Sequence, residues 1–248
     1  MIRILRSNRV ARVLPIRLYY SSQHIGSNAI VNDNQIESKI LTKAVEYIPQ
    51  YGFDSRAITK AVHDLKYSDS SISILTAQPS GHSLPFQLML HYLKLKRQEL
   101  EKFASTSIDP KLSQGEKLKK LITQRLLYNE PIIGKLSQGL SYLIVPYNIS
   151  SSLEELLNLG DDLAFFAGDE SNDFAWYSKR AAICSIYVKS ELFMLGDTTQ
   201  DFTTTKEFVN KRVDEFEKLG NAINDTEQWV GFQAISLLNL IKSQLTRG

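Results

Sequence analysis

The residues best placed to do chemistry lie in GDESNDFAWYSKR, Gly168 to Arg180. If Ser171 or Asp173 caps a helix there, Asp173, Trp176, Tyr177 and Arg180 fall at i, i+3, i+4 and i+7, on one face. The guanidinium then lies within reach of both rings, the geometry of a cation–π contact. Trp, Tyr and Arg are also the types that dominate binding hot spots. The chemistry is recognition rather than bond-making. A plainer reading stays open on these residues alone: Trp176 packs in a core and Arg180 pairs with Asp173.

Other reactive types are too few or too scattered to make a catalytic centre. The single cysteine, Cys184, falls on an apolar helix interior with no histidine near it in sequence, and one cysteine excludes disulfides and Cys-rich zinc sites. The four histidines, His24, His63, His82 and His91, show no metal-ligand spacing. Glu154, Glu155 and Glu191 lack the following histidine of a di-iron bundle. Asp161, Asp162 and Asp169 are expected to be caps and solvated charge. The chain is therefore expected not to be an enzyme and to need no metal or cofactor.

The elements that must position these residues are helices. Ile40, Leu41, Ala44, Val45 and Ile48 form one amphipathic stripe, closed by Pro49 and Gly52. Ser55 is a candidate cap for the next helix, with Ile58, Ala61, Val62 and Leu65 facing inward. A short third helix is expected near Ser68–Leu75, then a loop AQPSGHSLP, then a longer helix to about Phe103. Further helices are expected near 113–129, 131–145, 149–168, 171–195, 201–220 and 225–246. SSSLEE (Ser150–Glu155) serves as a capping start, and Gly196 and Gly220 as ends. No alternating β pattern and no apolar run long enough to span a bilayer occurs. The fold class is all-α, with about ten helices.

Charge divides the chain. Residues 1–32 hold Arg3, Arg6, Arg9, Arg12 and Arg17 and no acid, the composition of a mitochondrial transit peptide. A basic nucleic-acid arm is the alternative. The whole chain has 29 basic and 27 acidic residues; without those five arginines it has 24 against 27, a net of −3. A mildly acidic body argues against a general electrostatic grip on nucleic acid. The expected organisation is a transit peptide over 1–20, a linker over 21–36 and a helical domain over 37–248.

In the last helix Val230, Ala234, Leu237, Leu238, Ile241 and Leu245 line one arc, with Trp229 and Phe232 beside it. Such a stripe suits a packing or dimer-interface helix.

Two resemblances follow from these segments. ILTKAVEYIPQYGFDSRAITKAVHDL, Ile40 to Leu65, resembles the helix-turn-helix head of tetracycline-repressor-like regulators. The third helix, SDSSISIL, has no Arg or Lys to reach a base or phosphate, so neither DNA reading nor a nucleic-acid partner is expected. LIVPYNISSSL (Leu143–Leu153), AGDESNDFAWYSKR and LNLIKSQLTRG (Leu238–Gly248) are more specific. They resemble the family of mitochondrial ubiquinone-biosynthesis accessory proteins, the ninth of the Coq set, in its fungal form.

That resemblance implies a repressor-like fold with head 37–80, ligand-chamber bundle 84–220 and amphipathic helix 225–246. It implies a homodimer that holds an isoprenoid quinone intermediate or a phospholipid. It implies a peripheral location on the matrix side of the inner membrane, and presentation of substrate to the demethoxyubiquinone hydroxylase within the biosynthetic complex. Asp173, Trp176, Tyr177 and Arg180 would meet the hydroxylase, with Arg180 and Trp176 also at bound lipid. Trp229, Val230, Phe232, Leu237, Leu238, Ile241 and Leu245 would enter the membrane interface.

Overall fold

The computed structural model describes Val31 and residues 35–77, 81–169 and 175–222. For Ala175, Trp176 and 219–222 it describes only the helical backbone. Helix 225–246 and Asp173 lie outside the described residues. No strand occurs among those described, and the class is all-α.

The head begins with α1 (Ile36–Val45), which buries Ile40, Leu41 and Ala44, and the short α2 (Ile48–Tyr51). Gly52 then turns the chain at φ +71, a conformation that favours glycine. The turn is held from outside the head: the Gln138 side chain accepts from the Phe53 N–H at 3.2 Å and donates to its carbonyl at 3.3 Å. In α3 (Ser55–Asp64), Ala57, Ile58, Ala61 and Val62 are buried. Its cap is Asp54 rather than Ser55, because the Asp54 carboxylate accepts from the Arg56 N–H at 2.9 Å and Ser55 is already helical. The expected third helix is a 3-10 turn, Asp69–Ser71, followed by α4 (Ile72–Thr76), with only Leu75 buried.

Helix α5 (Leu84–Ser107) has 24 residues, about 36 Å at 1.5 Å per residue. It serves two cores. Leu88, Met89 and Tyr92 join Ile132 and Leu136 in packing against α1 and α3. Leu100 instead packs with Leu118, Leu121, Leu163, Ile183 and Val213. That second core gathers α6 (Gln114–Leu127), α8 (Ile149–Ala167), α9 (Ala175–Met194) and α10 (Thr203–Ala222). Helix α7 (Ile133–Leu143) lies against α5 on the head side. Gly139 makes that approach possible, since a Cβ there would stand 2.6 Å from the Phe53 ring and 2.7 Å from Met89 Sδ.

Two expected helix ends differ in their punctuation. Helix α8 starts at Ile149, as expected, but all of SSSLEE lies inside it and does not cap it; Asn148 precedes it and donates to the Tyr142 carbonyl. Helix α10 continues through Gly220 to Ala222. Glycine weakens a helix but does not have to end one.

Candidate functional site

Between the two cores lies a cavity of about 350 Å³. Each wall is a helical stripe in the register that i, i+3, i+4 spacing gives. Helix α7 supplies Ser137, Leu140 and Ser141, with Ile144 just after it; α8 supplies Ile149, Ser152, Leu153, Leu156 and Leu159; α9 supplies Val188 and Leu192, with Leu195 just after it; α5 adds Leu93. The lining is mostly aliphatic, and the volume falls in the range of clefts that take drug-sized ligands.

Its inner wall is charged. Arg97 on α5 donates from Nε to Glu155 Oε1 at 2.9 Å and from Nη1 to Asp162 Oδ2 at 3.2 Å. Glu155 and Asp162 are both buried on α8. Burial pushes the Glu155 carboxyl above the ordinary carboxylate range, and the Arg97 charge opposes that shift. This grouping ties α5 to α8 across the middle of the molecule.

The second cation is Arg125 on α6, 1% exposed. Its Nη1 donates to Asn129 Oδ1 at 3.2 Å, and its guanidinium sits 5.5 Å from the centre of the Tyr187 ring. Glu191 Oε1 accepts from Asn129 Nδ2 at 2.8 Å and from the Tyr187 hydroxyl at 2.7 Å. Tyr92 closes the chain by donating to Asn129 Oδ1 at 3.0 Å. Burial raises the pKa of both tyrosines, so they stay neutral donors. Burial works against the Arg125 charge, but nearby carboxylates such as Glu191 favour it, the pKa lies above the ordinary value, and the group stays charged.

Sequence reasoning missed this whole network. The signal was present: Arg125 continues the apolar stripe Leu118, Leu121, Ile122, and Arg97 stands between Leu93 and Leu100 in the same register. A cation on a core stripe is uncommon and marks a site worth naming.

The residues singled out from the sequence fare differently. Tyr177 is 69% exposed on α9, while Arg180, less than one turn later, is 3% exposed. The two do not share a surface. Arg180 donates from Nε to Asp161 at 2.6 Å and from Nη1 to Asp169 at 3.0 Å, and Lys179 joins Asp169 at 2.9 Å. Two buried carboxylates hold the guanidinium, and Arg180, expected at bound lipid, does not line the cavity. The same bonds correct the reading of Asp161, Asp162 and Asp169: all three are buried ion-pair partners, not solvated charge. Trp176 stands next to Tyr177 on the α9 backbone. The membrane set, Trp229, Val230, Phe232, Leu237, Leu238, Ile241 and Leu245, lies outside the described residues.

Helices α8 and α9 meet closely where a Cβ on Gly160 would stand 2.4 Å from Cys184 Sγ. Burial pushes the Cys184 thiol up to about 12, and Sγ donates to the Leu156 carbonyl at 3.3 Å. A thiol so placed is packing, not a nucleophile.

Comparison with known proteins agrees with this architecture's more specific sequence segments. The COQ9 family model matches residues 149–220, which span α8, α9 and most of α10. A ubiquinone biosynthesis protein COQ9, mitochondrial, from Eremothecium gossypii is 36% identical over 220 residues, covering 85% of this chain and 86% of the relative. The Saccharomyces cerevisiae protein of that name is 31% identical over 255 residues, covering 99% and 95%. The Homo sapiens protein is 32% identical over 197 residues, covering 77% of this chain and 60% of its own length.

Proposed function

The chain belongs to the COQ9 family of mitochondrial ubiquinone biosynthesis proteins, and on that premise we propose that it is a carrier of an isoprenoid quinone intermediate. It takes the lipid into the cavity between α5, α7, α8 and α9 and presents it to the membrane-bound demethoxyubiquinone hydroxylase. One observation carries this reading: a mostly aliphatic cavity of about 350 Å³ ends on a buried polar wall. Aliphatic walls suit a prenyl tail and polar groups suit a ring bearing oxygens. The work is physical. The protein shields from water a tail too apolar to cross it, since each buried methylene contributes about 0.8 kcal/mol. It acts by binding and delivery rather than by turnover.

Further parts of the reading rest on sequence. Residues 1–20 act as the mitochondrial address. Helix 225–246 lies in the inner-membrane interface on the matrix side through Trp229, Val230, Phe232, Leu237, Leu238, Ile241 and Leu245. Asp173, Trp176 and Tyr177 form the surface that meets the hydroxylase. Exposed Tyr177 supports that assignment, and Arg180 ties α9 to Asp161 of α8 and to Asp169. The protein works as a homodimer.

The experiment is organic extraction and mass spectrometry of lipid carried by the purified chain and by a Leu156→Trp variant, whose larger side chain fills the cavity. Isoprenoid quinone near stoichiometry, lost in the variant, is the expected result. An empty wild-type protein, or equal lipid in both, overturns the carrier.

A further inference from the structure

We propose that the inner wall of the cavity is a head-group subsite in which Arg125 donates to a neutral acceptor oxygen of a quinoid or phenolic ring, so that the ligand enters head first and its tail leaves past the α7–α8 turn. The proposal rests on the carrier reading and deepens it by fixing the ligand's orientation and the group that selects it.

Arg125 and Arg97 face the same cavity but are satisfied to different degrees. Arg97 is bound to two carboxylates. Arg125 has no carboxylate within ion-pair distance among the described residues, and its buried Nε has no hydrogen-bond partner. Buried polar groups in proteins are almost always hydrogen-bonded, and an exception on a cavity wall marks a donor held for a ligand. A charged donor is also the stronger kind. The Tyr187 ring beneath the guanidinium adds a flat aromatic surface beside which a six-membered ring can lie.

The charge of the wall selects the acceptor. Arg97 and Arg125 stand against Glu155, Glu191 and Asp162, two cations to three carboxylates. Such a wall is not positive overall, even with Glu155 protonated, and a phosphate or carboxylate would meet Glu155 and Glu191 as like charges. A carbonyl or phenolic oxygen takes the donor without adding charge.

Orientation follows from exposure. Arg125 is closed off, whereas Leu153 both lines the cavity and is 40% exposed, so the lining reaches the surface at the start of α8. Val145, Tyr147 and Leu157 are exposed apolar side chains on the same turn and helix. A cavity of about 350 Å³ holds a ring and a short length of tail. The remainder of a long prenyl chain then runs out over that apolar patch.

The test compares three probes of equal tail: decylubiquinone, decylbenzene and decyl phosphate. Their affinities are measured by displacement of a fluorescent alkyl probe from the full chain and from Arg125→Met. The wild type is expected to favour the quinone over decylbenzene at least tenfold. The Met variant should bring that ratio near one with decylbenzene binding changed less than twofold. An unchanged ratio in Arg125→Met overturns the subsite and leaves the carrier standing. A preference for decyl phosphate overturns the neutral head. Wild-type protein that binds none of the three overturns the carrier reading itself, and this proposal with it. Should Arg125→Met not fold, infrared spectra of decylubiquinone bound to the wild type decide: a downshifted carbonyl stretch supports the bond, and an unshifted one refutes it.

Discussion

Replacing Arg97 by methionine tests how the cavity is held together. Methionine keeps much of the side chain's length and removes the fork that binds Glu155 at 2.9 Å and Asp162 at 3.2 Å. Both carboxylates are buried on α8, and both lose the cation they share. Breaking a buried pair in this way costs about 3–5 kcal/mol, because the charges left behind are not resolvated. That is a large fraction of the roughly 5–15 kcal/mol that holds a typical domain. The pH dependence is diagnostic. Glu155 already has its folded pKa raised by burial, against the pull of Arg97, and loss of Arg97 raises it further. A carboxyl whose folded pKa lies above its unfolded value is destabilising at pH above that unfolded value, and the penalty fades as pH falls through it. Urea unfolding of wild type and Arg97→Met should therefore differ by about 3–5 kcal/mol near neutral pH, with the gap closing toward about pH 4. Adding Glu155→Gln and Asp162→Asn to the variant should recover most of the loss. A deficit below about 1 kcal/mol that ignores pH would refute the reasoning, since that is how a solvent-screened surface pair behaves.

Two predictions address the surfaces proposed for membrane and partner. Deleting the residues after Asn224 should abolish co-flotation with liposomes of inner-membrane composition while leaving a folded protein, and unchanged flotation speaks against the interfacial helix. A Trp176→Ala protein with wild-type circular dichroism should capture the purified hydroxylase at least tenfold more weakly, as loss of a hot-spot aromatic implies; full affinity removes Trp176 from the docking surface.

Much of the fold was legible because helices announce themselves by period. Ile58, Ala61 and Val62 fall on one face of α3 in sequence and are buried in the structure, and the order of helices follows the punctuation of Pro and Gly closely. The site was legible only in part. Spacing placed Tyr177 and Arg180 on neighbouring positions of one helix, but the period of a helix does not say which side of it faces a core. That was decided by Asp161 and Asp169, 19 and 11 residues away. The carboxylates of α8 looked solvated because such groups are mostly exposed. Their cations lie on other helices, with Glu155 separated from Arg97 by 58 residues. The charges at stripe positions, Arg97 and Arg125, were the readable clue, and identifying their function needed the cavity beside them.

The single span of α5 through both cores bears on why the head persists at all. Leu88, Met89 and Tyr92 on its first half share one core with Ile40, Ala44, Ile58, Val62 and Leu75 of the head, and Tyr92 meets the Phe53 ring edge-on. A chain trimmed of its first three helices would leave that half of α5, and α7 with it, presenting bare hydrocarbon next to the chamber. The α1–α4 region is thus a keel: among the described residues it supplies none of the cavity lining, yet it packs behind α5 and α7, two of the walls that shape it. Damage to the head would therefore be felt in the walls of the chamber, as lost binding there.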